Sequence, residues 1–163
     1  MTKYITALFA LTAMLVAAQP AKAVEGITET GWSQRCAAGK DGNQQCEIYD
    51  ASTIKQGGAL VLELSVGYPP GQTTPRAAIK APLNIWLEPG IAMKIGDQKE
   101  TPFRFHSCNE QGCMAYFNVD DKTLATMKKG GTASFAFKSI DAQQIKVDLS
   151  LSGFGKAFDG LKK

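Results

Sequence analysis

The chain has 163 residues, with 18 Lys and Arg against 15 Asp and Glu, 16 Gly, four Cys and a single His. That length suits one domain and leaves little room for two. No basic run exceeds Lys128-Lys129 or Lys162-Lys163, which argues against nucleic acid as a partner.

Residues 1–23 read as a secretory signal. Lys3 precedes an apolar run from Tyr4 to Ala18, and Ala21-Lys22-Ala23 matches the small-x-small cleavage pattern, so Val24 becomes the new N-terminus. The run is 15 residues, short of the roughly 20 that cross a bilayer. A transmembrane anchor is therefore not expected after processing, and no Cys follows the cut to carry a lipid. Cleavage leaves residues 24–163 as one domain, with 16 bases against 15 acids once Lys3 and Lys22 are gone. A domain of this size buries about two-thirds of its unfolded surface without needing a metal.

Export decides how Cys36, Cys46, Cys108 and Cys113 are read. An oxidising compartment favours disulfides over zinc thiolates. Three connectivities are open. Turn-rich stretches between Cys36 and Cys46 and between Cys108 and Cys113 favour local pairing, with about 2–3 kcal/mol for each short loop.

In chain order, residues 24–31 form an exposed lead-in. Residues 31–36 and 44–51 make a candidate hairpin around Asp41-Gly42-Asn43. Ala59 to Tyr68 is the clearest strand, with Leu60, Leu62, Leu64 and Val66 on one face and Glu63, Ser65 and Gly67 on the other. Residues 69–75 close it as a loop. Leu83 to Leu87, bracketed by Pro82 and Pro89-Gly90, reads as a short strand. Ile91 to Ile95 and Lys99 to Phe105 flank a hairpin turn, and Met114 to Val119 is a further strand. Asp120 or Asp121 caps a short helix through Leu124 and Met127, stopped by Gly130. Thr132 to Ile140 and Gln144 to Leu151 alternate as strands, and Phe154, Phe158 and Leu161 fall at helical spacing. Eight or nine strands with one short helix and a C-terminal helical turn indicate an all-β sandwich or barrel.

Catalytic patterns are weak. His106 is the only histidine, beside a cysteine expected to be oxidised, and no Gly-x-Ser-x-Gly elbow occurs. His106, Cys108 and Cys113 fit no standard zinc spacing. Asp120-Asp121 reads as a cap, Gly153-Phe154-Gly155 lacks the context of a nucleotide loop, and Asp41-Gly42-Asn43 fails the calcium-loop pattern. No cofactor is expected. Trp86 stands out: strict alternation opposes it to both Ile85 and Leu87, giving either a strand buried on both faces or an exposed contact patch.

The ordered set Gly31-Trp32-Ser33-Gln34-Arg35-Cys36, Cys46, Ala81-Pro82-Leu83-Asn84-Ile85-Trp86-Leu87-Glu88-Pro89-Gly90-Ile91, Cys108-Asn109-Glu110-Gln111-Gly112-Cys113-Met114-Ala115 and Leu149-Ser150-Leu151-Ser152-Gly153-Phe154 resembles the bacterial invasion-associated locus B family over residues 31–161. The resemblance implies an immunoglobulin-like β-sandwich exported by a Gram-negative cell, with a family link to host-cell invasion and no catalytic residues to carry over. The expected function is a periplasmic, surface or secreted non-enzymatic module. Its expected partner is an envelope or host-surface protein or a polysaccharide. The alternative is an envelope hydrolase whose site assembles from separated carboxylates.

Overall fold

A computed structural model of the chain describes residues 22–23, 27–29, 31–39, 42 and 44–161. The apolar run of the signal, Ala21 and the turn residues Asp41 and Asn43 lie outside the described residues. Among the described residues, twelve strand segments and two short helices occur in chain order. They are β1 (Lys22–Ala23), β2 (Ile27–Glu29), β3 (Ser33–Ala38), β4 (Gln44–Ile54), β5 (Leu60–Gly67), β6 (Arg76–Ala81), β7 (Ile91–Ile95), β8 (Thr101–Phe103), β9 (Phe105–Asn109), β10 (Gly112–Asn118), α1 (Asp121–Lys128), β11 (Thr132–Lys138), β12 (Gln144–Ser150) and α2 (Phe154–Asp159).

The strands form two sheets, as expected of a sandwich. The smaller runs β1-β12-β11-β7-β8. The larger runs β2-β4-β5-β6-β10-β9, and β3 also pairs with β4 beyond the reach of β2. Only the short β1–β12 pairing is parallel. All other ladders are antiparallel, which allows a sheet to bury one face and solvate the other.

Period-2 alternation supplies the core. Leu62, Leu64 and Val66 of β5 and Ala77, Ile79 and Ala81 of β6 face Ala133, Phe135 and Phe137 of β11 and Val147 and Leu149 of β12. Phe103 of β8 stacks on Phe117 of β10 with centroids 4.6 Å apart, joining the two sheets at the edge where the chain passes between them. The other end is closed by α2. Phe154 meets Trp32 edge-on at 4.8 Å, Phe158 packs on Tyr68 at 5.6 Å, and Trp32 Nε1 donates to the Ser150 carbonyl at 2.9 Å. Helix α1 is capped by Asp120, which accepts from the Thr123 amide at 2.7 Å, and it buries Met127.

Four elements differ from the sequence reading. Within the expected lead-in, Ile27–Glu29 are the short strand β2, paired with β4. Residues 83–87 are not a strand: only an isolated bridge, Ile85 to Ser139, survives there, because Asn84 takes φ 61° and breaks the extended run. Residues 76–81 are a central strand of the larger sheet, although Ala at three of six positions carries little β-propensity. The run from Lys99 to Phe105 is cut at Arg104. Its first part, β8, pairs with β7, while β9 leaves for the larger sheet and pairs with β10.

Candidate functional site

Both disulfides close edge hairpins of the larger sheet. Cys36 and Cys46 are direct cross-strand partners of β3 and β4, with Cα atoms 4.1 Å apart. Cys108 and Cys113 are likewise opposed on β9 and β10, at 4.0 Å. All four sulfurs are therefore committed, and the described residues hold no free cysteine. Among the described residues, no group of three or more His, Cys, Asp and Glu is placed to hold a metal ion.

His106 sits exposed on the edge strand β9, its ring 5.8 Å from that of Tyr116. Carboxylates do converge elsewhere. Arg35 Nε donates to Glu47 Oε1 at 2.6 Å and its Nη2 to Glu63 Oε1 at 2.9 Å, while Lys80 Nζ lies 3.2 Å from Glu63 Oε2. Burial opposes the charge of Glu63, but the hydrogen bonds and charges of Arg35 and Lys80 outweigh it and hold the carboxyl below its ordinary pKa. Burial likewise opposes the charge on Arg35, and Glu63 and Glu47 outweigh it and raise its pKa. A general acid needs the reverse, a carboxyl held protonated near neutral pH.

Trp86 lies in the irregular segment between β6 and β7. Its amide donates to the Lys138 carbonyl at 2.9 Å, and the Ile140 amide donates to the Asn84 carbonyl at 2.9 Å. These bonds flank the Ile85–Ser139 bridge and tie the segment to the end of β11. Ile85 turns inward and is buried, whereas Leu83, Trp86, Leu87 and Ile140 are 45%, 42%, 53% and 57% exposed. With the strand broken, Leu87 does not follow Ile85 inward, so two neighbouring apolar side chains face water together. Lys138 Nζ stands 5.6 Å from the Trp86 ring. Four of the five large apolar side chains exposed in the described chain gather at this end.

A second surface lies on the outer face of the larger sheet, at the opposite end of β6. Register sets its rows: Arg35, Glu47, Gly67, Arg76 and Asn118 run side by side across five strands, next to Tyr49, Ser65, Ala78 and Tyr116. Two guanidiniums stack on tyrosines, Arg35 on Tyr49 and Arg76 on Tyr116, each 4.5 Å from the ring centroid. Arg76 carries no sequence motif of its own. Its signal was the alternation of Ala77, Ile79 and Ala81 with Arg76, Ala78 and Lys80.

Among the described residues, no helix is long and apolar enough to cross a membrane. Comparison with known proteins agrees with the architecture. An invasion protein B homologue of Brucella abortus strain 2308 is 26% identical over 158 residues, covering 96% of this chain and 90% of its own; the homologue of strain 9-941 matches to the same extent. The crystal structure of invasion associated protein b from Bartonella henselae superposes with a TM-score of 0.67 at 18% identity, over 77% of this chain and 86% of that one, so the two share a fold. The family model for invasion associated locus B protein matches residues 32–162. The chain belongs to the invasion-associated locus B family.

Proposed function

We propose that this protein is an exported, non-enzymatic module that docks a protein partner through the patch formed by Leu83, Trp86, Leu87 and Ile140. The observation that carries the reading is the gathering of these exposed apolar side chains on a segment anchored by backbone hydrogen bonds. An anchored patch loses little conformational entropy on binding, and an aromatic beside aliphatic neighbours is the composition of an interface centre. Three of the four side chains are aliphatic and offer a sugar neither a flat face nor a hydrogen bond, and Lys138 Nζ stands 5.6 Å from the centroid of the one aromatic ring, which favours protein over polysaccharide. Glu47 and Glu63, which the fold brings onto the same arginine, are paired with Arg35 and Lys80, and Glu63 is held below its ordinary pKa, which does not suit the acid of a hydrolase. Invasion, the word in the relatives' names, is one setting in which such docking serves.

Export rests on the signal pattern of residues 1–23 and on the two disulfides, which persist in oxidising compartments. Cleavage after Ala23 removes β1 and leaves β12 as a sheet edge. Lys146 and Asp148 on that strand suit an edge, since charges there discourage unwanted pairing. N-terminal sequencing of envelope-purified protein is expected to begin at Val24, and an intact Met1 would overturn export by this route. For docking, a photo-cross-linker placed at Asn84 is expected to trap a discrete protein adduct in living cells, and the double variant Trp86→Ser, Leu87→Ser is expected to lose it. An adduct that persists in the double variant would refute the patch.

A further inference from the structure

We infer that the hollow between Glu47 and Arg76 on the outer face of the larger sheet is a binding site for a small organic carboxylate with an apolar body. It is a surface separate from the Trp86 patch. β6 alone, at about 3.3 Å per residue, keeps the two roughly 20 Å apart.

The hollow exists because of one residue. In the row Arg35, Glu47, Gly67, Arg76, the glycine has no side chain to fill the space between its neighbours. Strands lie about 4.8 Å apart, so Glu47 and Arg76 face each other across roughly 10 Å. A Cβ on Gly67 would approach the Cys46 carbonyl oxygen and Glu47 Cβ at 2.9 Å, so the row tolerates no larger residue without moving β4. The cavity is about 370 Å³, within the range of small-molecule sites. Its lining includes Gly67, Ala78, Pro69, Tyr68 and Tyr116, largely apolar, with Arg76 at one side.

Charge selects the ligand. The two stacked arginines are alike in geometry and unlike in compensation. Arg35 is held by Glu47 and Glu63, and Lys80 by Glu63. Arg76 has no carboxylate partner among the described residues, so one positive charge at this surface is unanswered. Stacking on Tyr116 fixes the guanidinium plane and leaves its N–H edge free to take a planar carboxylate in a bidentate pair. The apolar lining then takes the rest of the molecule. Arg35 and Arg76 each cover a face of their tyrosine, so a sugar ring has little aromatic surface left to stack upon. A single uncompensated cation is too little charge to hold a polyanion.

Titration followed by amide NMR tests the site, with phenylacetate as the ligand and 2-phenylethanol and inorganic phosphate as controls. Phenylacetate is expected to shift the amides of Gly67, Arg76 and Ala78. Binding of 2-phenylethanol is expected to be at least about tenfold weaker, the loss of one charge-assisted pair. Arg76→Gln is expected to raise the Kd for phenylacetate by about tenfold or more, and Arg76→Lys by less, since it keeps the charge and loses the fork. Ala78→Leu is expected to abolish binding by filling the floor, with the rest of the spectrum retained. The site is refuted if phenylacetate shifts no amides or shifts others, if Arg76→Gln leaves its Kd unchanged, or if phosphate shifts the same amides as strongly.

Discussion

The Trp86 patch and the Arg76 hollow are built by opposite means. At the patch the backbone is irregular: Asn84 takes φ 61°, one isolated bridge replaces a ladder, and apolar side chains emerge because alternation has failed. At the hollow the ladder is unbroken across five strands, and the feature arises because alternation holds and a glycine occupies one place in a row. The contrast teaches that an exposed apolar cluster needs local backbone anchoring, whereas a polar hollow inherits its positions from the sheet. Substitutions should therefore hurt the two regions through different physics.

The largest effect is expected at the base of the patch. Gly90 has φ 93°, and a Cβ there would come 2.2 Å from the Phe103 carbonyl oxygen. Gly90→Ala is expected to cost about 3 kcal/mol, from backbone strain plus displacement of β8. Urea unfolding measures this, and a cost below about 1 kcal/mol would show that the segment relaxes freely.

Next comes the disulfide that closes the hairpin beside the hollow. Replacing Cys36 and Cys46 together with Ala is expected to lower stability by about 2–3 kcal/mol while the fold persists. An unfolded double variant would mean that the hairpin, and with it the Arg35 row, depends on the bridge for its existence.

Glu63 sharpens the electrostatic side. It is nearly buried, accepts from Arg35 and pairs with Lys80. Glu63→Gln is expected to cost about 2 kcal/mol, by weakening charge-assisted bonds. Because its pKa is depressed on folding, its contribution is complete above the unfolded value of about 4.3 and is lost as pH falls through the lower folded value. Thermal unfolding of the wild type should weaken below about pH 4.3, and the Gln variant should show a smaller decline. Identical pH profiles would place the acid sensitivity elsewhere.

The smallest stability effect is expected where the functional effect is largest. Trp86→Ser with Leu87→Ser removes exposed side chains and should change stability by no more than about 0.5 kcal/mol per site, while docking is lost. A cost of several kcal/mol would show that the patch is a packed part of the fold and not a free surface.

Period-2 alternation made β5, β11 and β12 legible from sequence, because a strand with one buried face writes that face directly into its residues. The capped helix at Asp120 and the helical spacing of Phe154 and Phe158 were equally plain, since caps and 3.6-residue periods are local. The pairing of each cysteine with its neighbour along the chain followed from short, turn-rich loops. What the sequence could not decide was how distant strands would be brought together. β6 went unseen because Arg76–Ala81 is half alanine, and only pairing with β5 and β10 makes that segment extended. Arg76 therefore had no visible neighbours, although Gly67, Glu47 and Tyr116 surround it in space. The choice at Trp86 between a buried strand and an exposed patch was likewise tertiary. It turned on Ile85 meeting Ser139, a contact between segments more than fifty residues apart that no local pattern encodes.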